Sequence, residues 1–118
     1  MHPAPDLSVL IDRREQIFVL TVRGEVDHDD AGDFARAWEA ADRAAMPVTA
    51  VDLTGVTFAD SMLLNALIRA RHRHQADGRS LVLVGPLRAP VSRLLEISGT
   101  TDLFPVTDAC PGGDRADP

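Results

Sequence analysis

Short apolar runs and amphipathic stretches alternate along this chain. Ile17-Phe18-Val19-Leu20-Thr21-Val22 reads as a strand, and Leu7 to Ile11 as a shorter one before it. The polar Arg13-Arg14-Glu15-Gln16 between them predicts a hairpin, and Gly24 is expected to end the second strand. Phe34, Ala37, Trp38 and Ala41 then recur at i, i+3, i+4 and i+7, the spacing of one helical face, which predicts a helix from Asp29 to Ala45. Asp27, Asp29, Asp30 and Asp33 lie around its start, where negative charge suits the helix dipole. Met46-Pro47 breaks this helix. Val48 to Leu53 follows, apolar on both faces for most of its length, as in a strand inside a covered sheet. A second helix is predicted from Ser61 to Gln75, stopping near Asp77-Gly78, with Leu64, Leu67, Ile68 and Arg71 marking the face expected against the sheet. Ser80 to Val84 is a further buried strand ended by Gly85-Pro86. A third helix has Pro90 near its start, Val91, Leu94 and Leu95 on one face and Gly99 as its stop. Leu103 to Val106 offers a last short edge strand.

The order β-β-α-β-α-β-α(-β) predicts an α/β fold, a mostly parallel sheet of four to five strands with helices packed against it. In such sheets ligands and partners meet the loops at the carboxyl ends of the strands. Residues 1–6 and 107–118 read as tails; the latter, rich in Pro, Gly and Asp, has too few apolar groups to offset the entropy of ordering it and is expected to be disordered. The intervening 7–106 has the size of one compact domain.

Composition narrows the functional classes. The chain of 118 residues has a formal net charge of −6, and its 12 basic residues are all arginine. An acidic balance disfavours non-specific nucleic-acid binding, which depends on neutralising phosphates. One cysteine, Cys110, excludes an internal disulfide and a Cys-rich zinc site. No apolar run reaches the roughly 18 residues that span a bilayer. The first residues lack the basic-then-apolar layout of a secretory signal, so a cytoplasmic protein is expected.

The chemistry of greatest interest lies where the third strand hands over to the second helix. Asp60 stands at the N-cap position, where a carboxylate accepts hydrogen bonds from unpaired amides, and Ser61 follows in the first turn. A phosphoryl group on Ser61 would add about −1.5 to −2 charges beside the Asp60 carboxylate and change what the surface can bind. Other candidates carry less. Glu25, Asp27, Asp29, Asp30 and Asp33 with His28 match no EF-hand spacing. Glu25, Asp27 and Asp60 show no mark of a catalytic carboxylate set. His72 and His74 are two apart and read, with Arg69, Arg71 and Arg73, as a solvated face. There is no phosphate-cradling Gly loop and no Gly-x-Ser-x-Gly elbow. No catalytic residue, metal site or cofactor is expected.

Taken together, Asp52-Leu53, Gly55-Val56, Phe58, Asp60-Ser61 and Leu64 resemble the signature of the STAS family, whose bacterial members are anti-sigma factor antagonists. Gly24-Glu25-Val26-Asp27 is similar to that family's turn after the second strand, and Gly78 with Leu81 to Val84 and Val91 to Gly99 match its later elements. The resemblance covers Leu7 to Val106. It implies a non-enzymatic regulator of transcription that binds an anti-sigma factor when unphosphorylated. That partner doubles as a serine kinase with a histidine-kinase-like ATPase fold. Phosphorylation of the serine after the aspartate, here Ser61, releases it, and a phosphatase resets the switch. The partner surface it implies comprises Gly24, Glu25, Asp27 and His28 in the turn and Asp60, Met62, Leu63, Asn65 and Ala66 at the helix start. Direct contact with nucleic acid or membrane is not expected. The chain departs from the family where Met62 and Leu63 replace a small residue and glycine, which widens the apolar start of this helix into a prospective docking patch. The same departure favours an alternative, a constitutive, never phosphorylated STAS adaptor on a transporter ATPase or signalling assembly. A small-ligand-binding or enzymatic α/β domain is the third reading, and it requires a concave polar pocket.

Overall fold

The computed structural model describes residues 7–14, 16–26 and 31–107. Strands β1 (Leu7–Arg14) and β2 (Ile17–Val26) form the antiparallel hairpin that opens the fold, with Arg14 opposite Ile17. Helix α1 (Ala31–Ala44), strand β3 (Val48–Ala59), helix α2 (Ser61–Ala76), strand β4 (Ser80–Val84) and helix α3 (Ala89–Ser98) follow in alternation. A 3-10 turn (Thr101–Leu103) then leads to the two-residue strand β5 (Val106–Thr107). The strands lie in one sheet in the order β1-β2-β3-β4-β5, and every pair after the hairpin is parallel. The predicted order and sheet type are those observed. The last strand sits later than the Leu103 to Val106 run suggests, because Leu103 closes the 3-10 turn.

Alternation along the strands sorts the core. Phe18, Leu20 and Val22 of β2, Val51 and Leu53 of β3, and Leu81 and Leu83 of β4 share one face. They join Phe34, Trp38 and Ala41 of α1, Leu63, Leu67 and Ala70 of α2, and Val91 and Leu95 of α3 in a single cluster. The three helices therefore cover the same side. Ile17, Val19, Ala50 and Val84 point the other way and form a smaller cluster, with Val48 and Val82 packed on it.

Two of the expected boundaries move, and both movements shape the site. Gly24 does not end β2; the strand runs on to Val26, with Gly24 at φ 94°, a backbone state that costs glycine little. β3 likewise extends past Leu53 to Ala59. Its register against β2 slips twice, between Thr21 and Arg23 and between Gly24 and Glu25, each time leaving an extra residue on β3. Gly55 falls in the first slip, where a Cβ would lie 2.8 Å from Cγ of Arg23. The result is that Val26 pairs with Ala59, so the end of β2 lies against the strand that leads into α2.

The buried face of α2 also differs from the expected one. Leu63, Leu67, Ala70 and His74 point inward, a 4-3-4 spacing, whereas Leu64, Ile68 and Arg71 are half-buried on its flank. Leu63, expected in the docking patch, is fully buried. His74, expected on a solvated face, is fully buried as well. Its Nδ1 lies 2.7 Å from the Ala70 carbonyl, to which it donates, and its Nε2 lies 2.7 Å from the Thr49 hydroxyl. This imidazole ties α2 to the centre of the sheet. Arg71 donates from Nε to the Leu103 carbonyl at 2.9 Å and holds the 3-10 turn.

Candidate functional site at the start of helix α2

Asp60 adopts an extended backbone, φ −120° and ψ −169°, and its carboxylate accepts from the Met62 amide at 2.9 Å. This is the cap expected from the sequence. Ser61 is thereby held as the first residue of α2, exposed, and its hydroxyl makes no hydrogen bond to any described residue. Asn65, one turn on, is also exposed, and Met62 and Ala66 are half-buried beside it. Glu25 of β2 is exposed and Gly24 half-buried. Glu25 pairs with Phe58 of β3, and the ring of Phe58 is 48% exposed, unusual for a large apolar side chain. Phe58 belongs to this surface, although the sequence offered it only as a motif position. Asp27 and His28 lie outside the described residues, as do Asp29 and Asp30 of the acidic cluster. Among the described residues no group of three or more His, Cys, Asp or Glu side chains could hold a metal ion.

A groove opens between α1 and α2 behind Ser61. Its volume is about 620 Å³. Phe34 and Trp38 line it from α1, and Met62 and Ala66 from α2, so its floor is apolar. Asp60 and Ser61 lie at one end. At the other, Arg73 donates from Nε to Asp42 at 2.8 Å. Glu39 borders it on α1 and Arg69 on α2, and neither has an ion-pair or hydrogen-bond partner among the described residues. Nε1 of Trp38, on a side chain almost wholly buried, also lacks an acceptor. A buried unpaired donor of this kind costs on the order of 1–3 kcal/mol. The α1 half of the groove was not foreseen. Its signal was present in the predicted face of α1, where Phe34 and Trp38 stand next to charged Glu39 and Asp42.

Beyond Arg73, Arg79 donates to Asp42 at 3.3 Å and to Asp77 at 2.9 Å, and its Nη1 approaches Nε2 of His74 at 3.5 Å. Burial pushes the His74 pKa below its ordinary value; the Ala70 carbonyl opposes this, Arg79 and Arg73 add to it, and Asp42 works against it. The lowered pKa favours the neutral imidazole, in which Nδ1 donates to the Ala70 carbonyl and Nε2 accepts from the Thr49 hydroxyl.

None of these features assembles a nucleophile with a base or an oxyanion site. What the geometry offers is an exposed hydroxyl without a hydrogen-bond partner among the described residues, on a capped helix start beside an apolar groove, with an exposed aromatic residue three positions earlier in the chain. Such an arrangement suits reversible contact with another macromolecule. Among the described residues no helix is long and apolar enough to cross a membrane.

Comparison with known proteins agrees with this picture. No curated protein sequence matches the chain. Among solved structures it is similar to an anti-sigma factor antagonist from Mycobacterium paratuberculosis, at 24% identity and a TM-score of 0.76 over 90% of each chain. It is also similar to the anti-sigma factor antagonist SpoIIAA in its unphosphorylated form, at 17% identity and a TM-score of 0.74 over 88% of this chain and 90% of that one. The phosphorylated form of SpoIIAA, a Bacillus cell fate determinant, matches at 16% identity with a TM-score of 0.69 over 88% and 93%. At these identities the likeness establishes the fold. The profile of the family described as "Mlab, STAS domain" matches residues 9–105, most of the chain, and the protein is a member of the STAS domain family.

Proposed function

We propose that this protein is an anti-sigma factor antagonist whose hold on its partner is switched by phosphorylation of Ser61. Unphosphorylated, it binds an anti-sigma factor that is also a serine kinase with a histidine-kinase-like ATPase fold, and so frees a sigma factor for transcription. Phosphorylated, it lets go, and a phosphatase restores it. The protein itself catalyses nothing, and it works in the cytoplasm. The observation that carries this reading is the exposed hydroxyl of Ser61 directly after the Asp60 cap, with no hydrogen-bond partner among the described residues. A kinase can reach it without unfolding anything. A phosphoryl group there would bring about −1.5 to −2 charges against the Asp60 carboxylate. Repulsion would then change the surface formed by Glu25, Phe58, Asp60, Met62, Asn65 and Ala66, with Gly24 shaping its edge. Asp27 and His28 are the proposed continuation of that surface in the turn after β2. The burial of Leu63 supports the reading, since only Met62 of the two bulky replacements remains beside the hydroxyl.

The test is a pull-down with wild-type, Ser61→Ala and Ser61→Asp baits. The anti-sigma factor should bind the first two and be lost from the third, and mass spectrometry after incubation with the captured kinase and ATP should find phosphate on Ser61 of the wild type. Equal capture by all three baits would refute the switch. It would leave the second reading, a constitutive adaptor docking on a transporter ATPase or signalling complex, which the bulky Met62 beside the hydroxyl favours.

A further inference from the structure

We propose that the groove between α1 and α2 receives one amphipathic helix of the protein partner, laid along its apolar floor with a basic edge toward Glu39 and an acidic edge toward Arg69. This rests on the proposed function in that the partner touches the Ser61 surface, and it names how the partner is gripped. α1 and α2 run in the same direction here, because the first turns of both border one end of the groove and the Asp42–Arg73 pair joins their later turns. Two side-by-side helices of this kind leave a trough that fits a third helix, a recurring mode of recognition. From Ser61 to Arg73 the trough runs about 18 Å along α2, at 1.5 Å per residue, or some three turns of an occupant. Its floor of Phe34, Trp38, Met62 and Ala66 is apolar.

The charges choose the occupant. Glu39 on one rim and Arg69 on the other are of opposite sign and without an ion-pair partner among the described residues, while Asp42 and Arg73 already pair with each other. A small anion would meet three carboxylates, Glu39, Asp42 and Asp60, against two guanidiniums. A helix whose two edges differ in sign satisfies both rims at once. Ser61 lines the trough at the start of α2, so a phosphoryl group there acts on that end of the bound helix.

Trp38 reports occupancy directly, because the chain has one tryptophan and no tyrosine. The probes are two designed 14-residue helical peptides with leucines at i, i+3, i+4 and i+7. One carries lysines along one edge and glutamates along the other, and its companion carries lysines along both. The mixed-edge peptide should shift Trp38 emission of the full chain. Ala66→Arg, which fills the trough, should weaken it by at least about tenfold. Arg69→Glu, an exposed change that leaves folding alone, makes both rims acidic; it should weaken the mixed-edge peptide and strengthen the lysine-edged one. Ile97→Arg, on the exposed side of α3, should change nothing. Absence of binding, or binding indifferent to Ala66→Arg and Arg69→Glu, overturns the proposal. The two ideas fail separately in the pull-down. An anti-sigma factor released by Ser61→Asp but untouched by Glu39→Arg, a rim residue outside the Ser61 surface, removes the groove and keeps the switch, and the opposite pattern removes the switch and keeps the groove.

Discussion

Among the described residues the hydroxyl of Ser61 bonds to nothing, whereas the carboxylate one residue earlier closes the start of α2. The two positions should therefore separate cleanly in urea titrations. Ser61→Ala should leave stability within about 0.5 kcal/mol of wild type. Asp60→Ala should cost about 1 kcal/mol, the usual worth of an N-cap. Equal losses at both would mean that residue 61 is structural. His74 makes the other residue-scale prediction. Its pKa is lowered in the folded protein, so the unfolded chain binds the extra proton below the ordinary histidine value. The stabilisation is thus complete above about pH 6.5 and is lost as pH falls below it, with a slope of at most about 1.4 kcal/mol per pH unit for one proton. Thermal melts at pH 7.5 and 5.5 should show this loss, and His74→Gln should flatten it. A wild-type stability that rises on acidification through this window would contradict the buried, neutral assignment.

At the scale of elements, α2 shows where periodicity informs and where it misleads. Two apolar stripes overlap on this helix. Leu64, Leu67 and Ile68 read as the inner one, but the stripe that faces the sheet ends in His74, a polar residue that no hydrophobic pattern marks as internal. Only its bonds to Ala70 and Thr49 make its burial tolerable, and Thr49 comes from a distant strand. Leu63 accordingly belongs to the core and Met62 to its margin. Leu63→Ala should cost about 2–5 kcal/mol, whereas Met62→Ala should cost clearly less and act mainly on partner binding. Chemical unfolding alongside a binding assay distinguishes them. The strand limits were legible to within a few residues, except where β2 and β3 continue together through their register slips. Nothing local announces a slip of this kind, since it is set by pairing between residues some thirty apart. Gly55 is its one trace, a motif glycine whose necessity appears only when Arg23 is seen against it. Gly55→Ala should destabilise the protein by forcing that stem aside, and Arg23→Ala should relieve the effect in the double mutant. Additive losses would refute the clash.

Across the whole molecule, the predicted α/β order was readable because each element carries its own period and its own stop, from the hairpin to the left-handed Gly99 after α3. The groove was not readable, because it joins residues of two helices that meet only once the sheet has formed. One cluster links all three helices to β2, β3 and β4. Unfolding should therefore be two-state, with Trp38 fluorescence and far-ultraviolet circular dichroism giving one coincident transition; separated midpoints would show that α1 melts on its own. The strand order has a consequence for synthesis. Because neighbours in space are neighbours in the chain, the sheet grows from one side only, and no later strand must be threaded between earlier ones. Every groove and switch residue named above precedes β4. The docking surface is therefore complete in the chain before β4 is made, on a half-built sheet whose newest edge, β3, stays unpaired until β4 arrives to cover it.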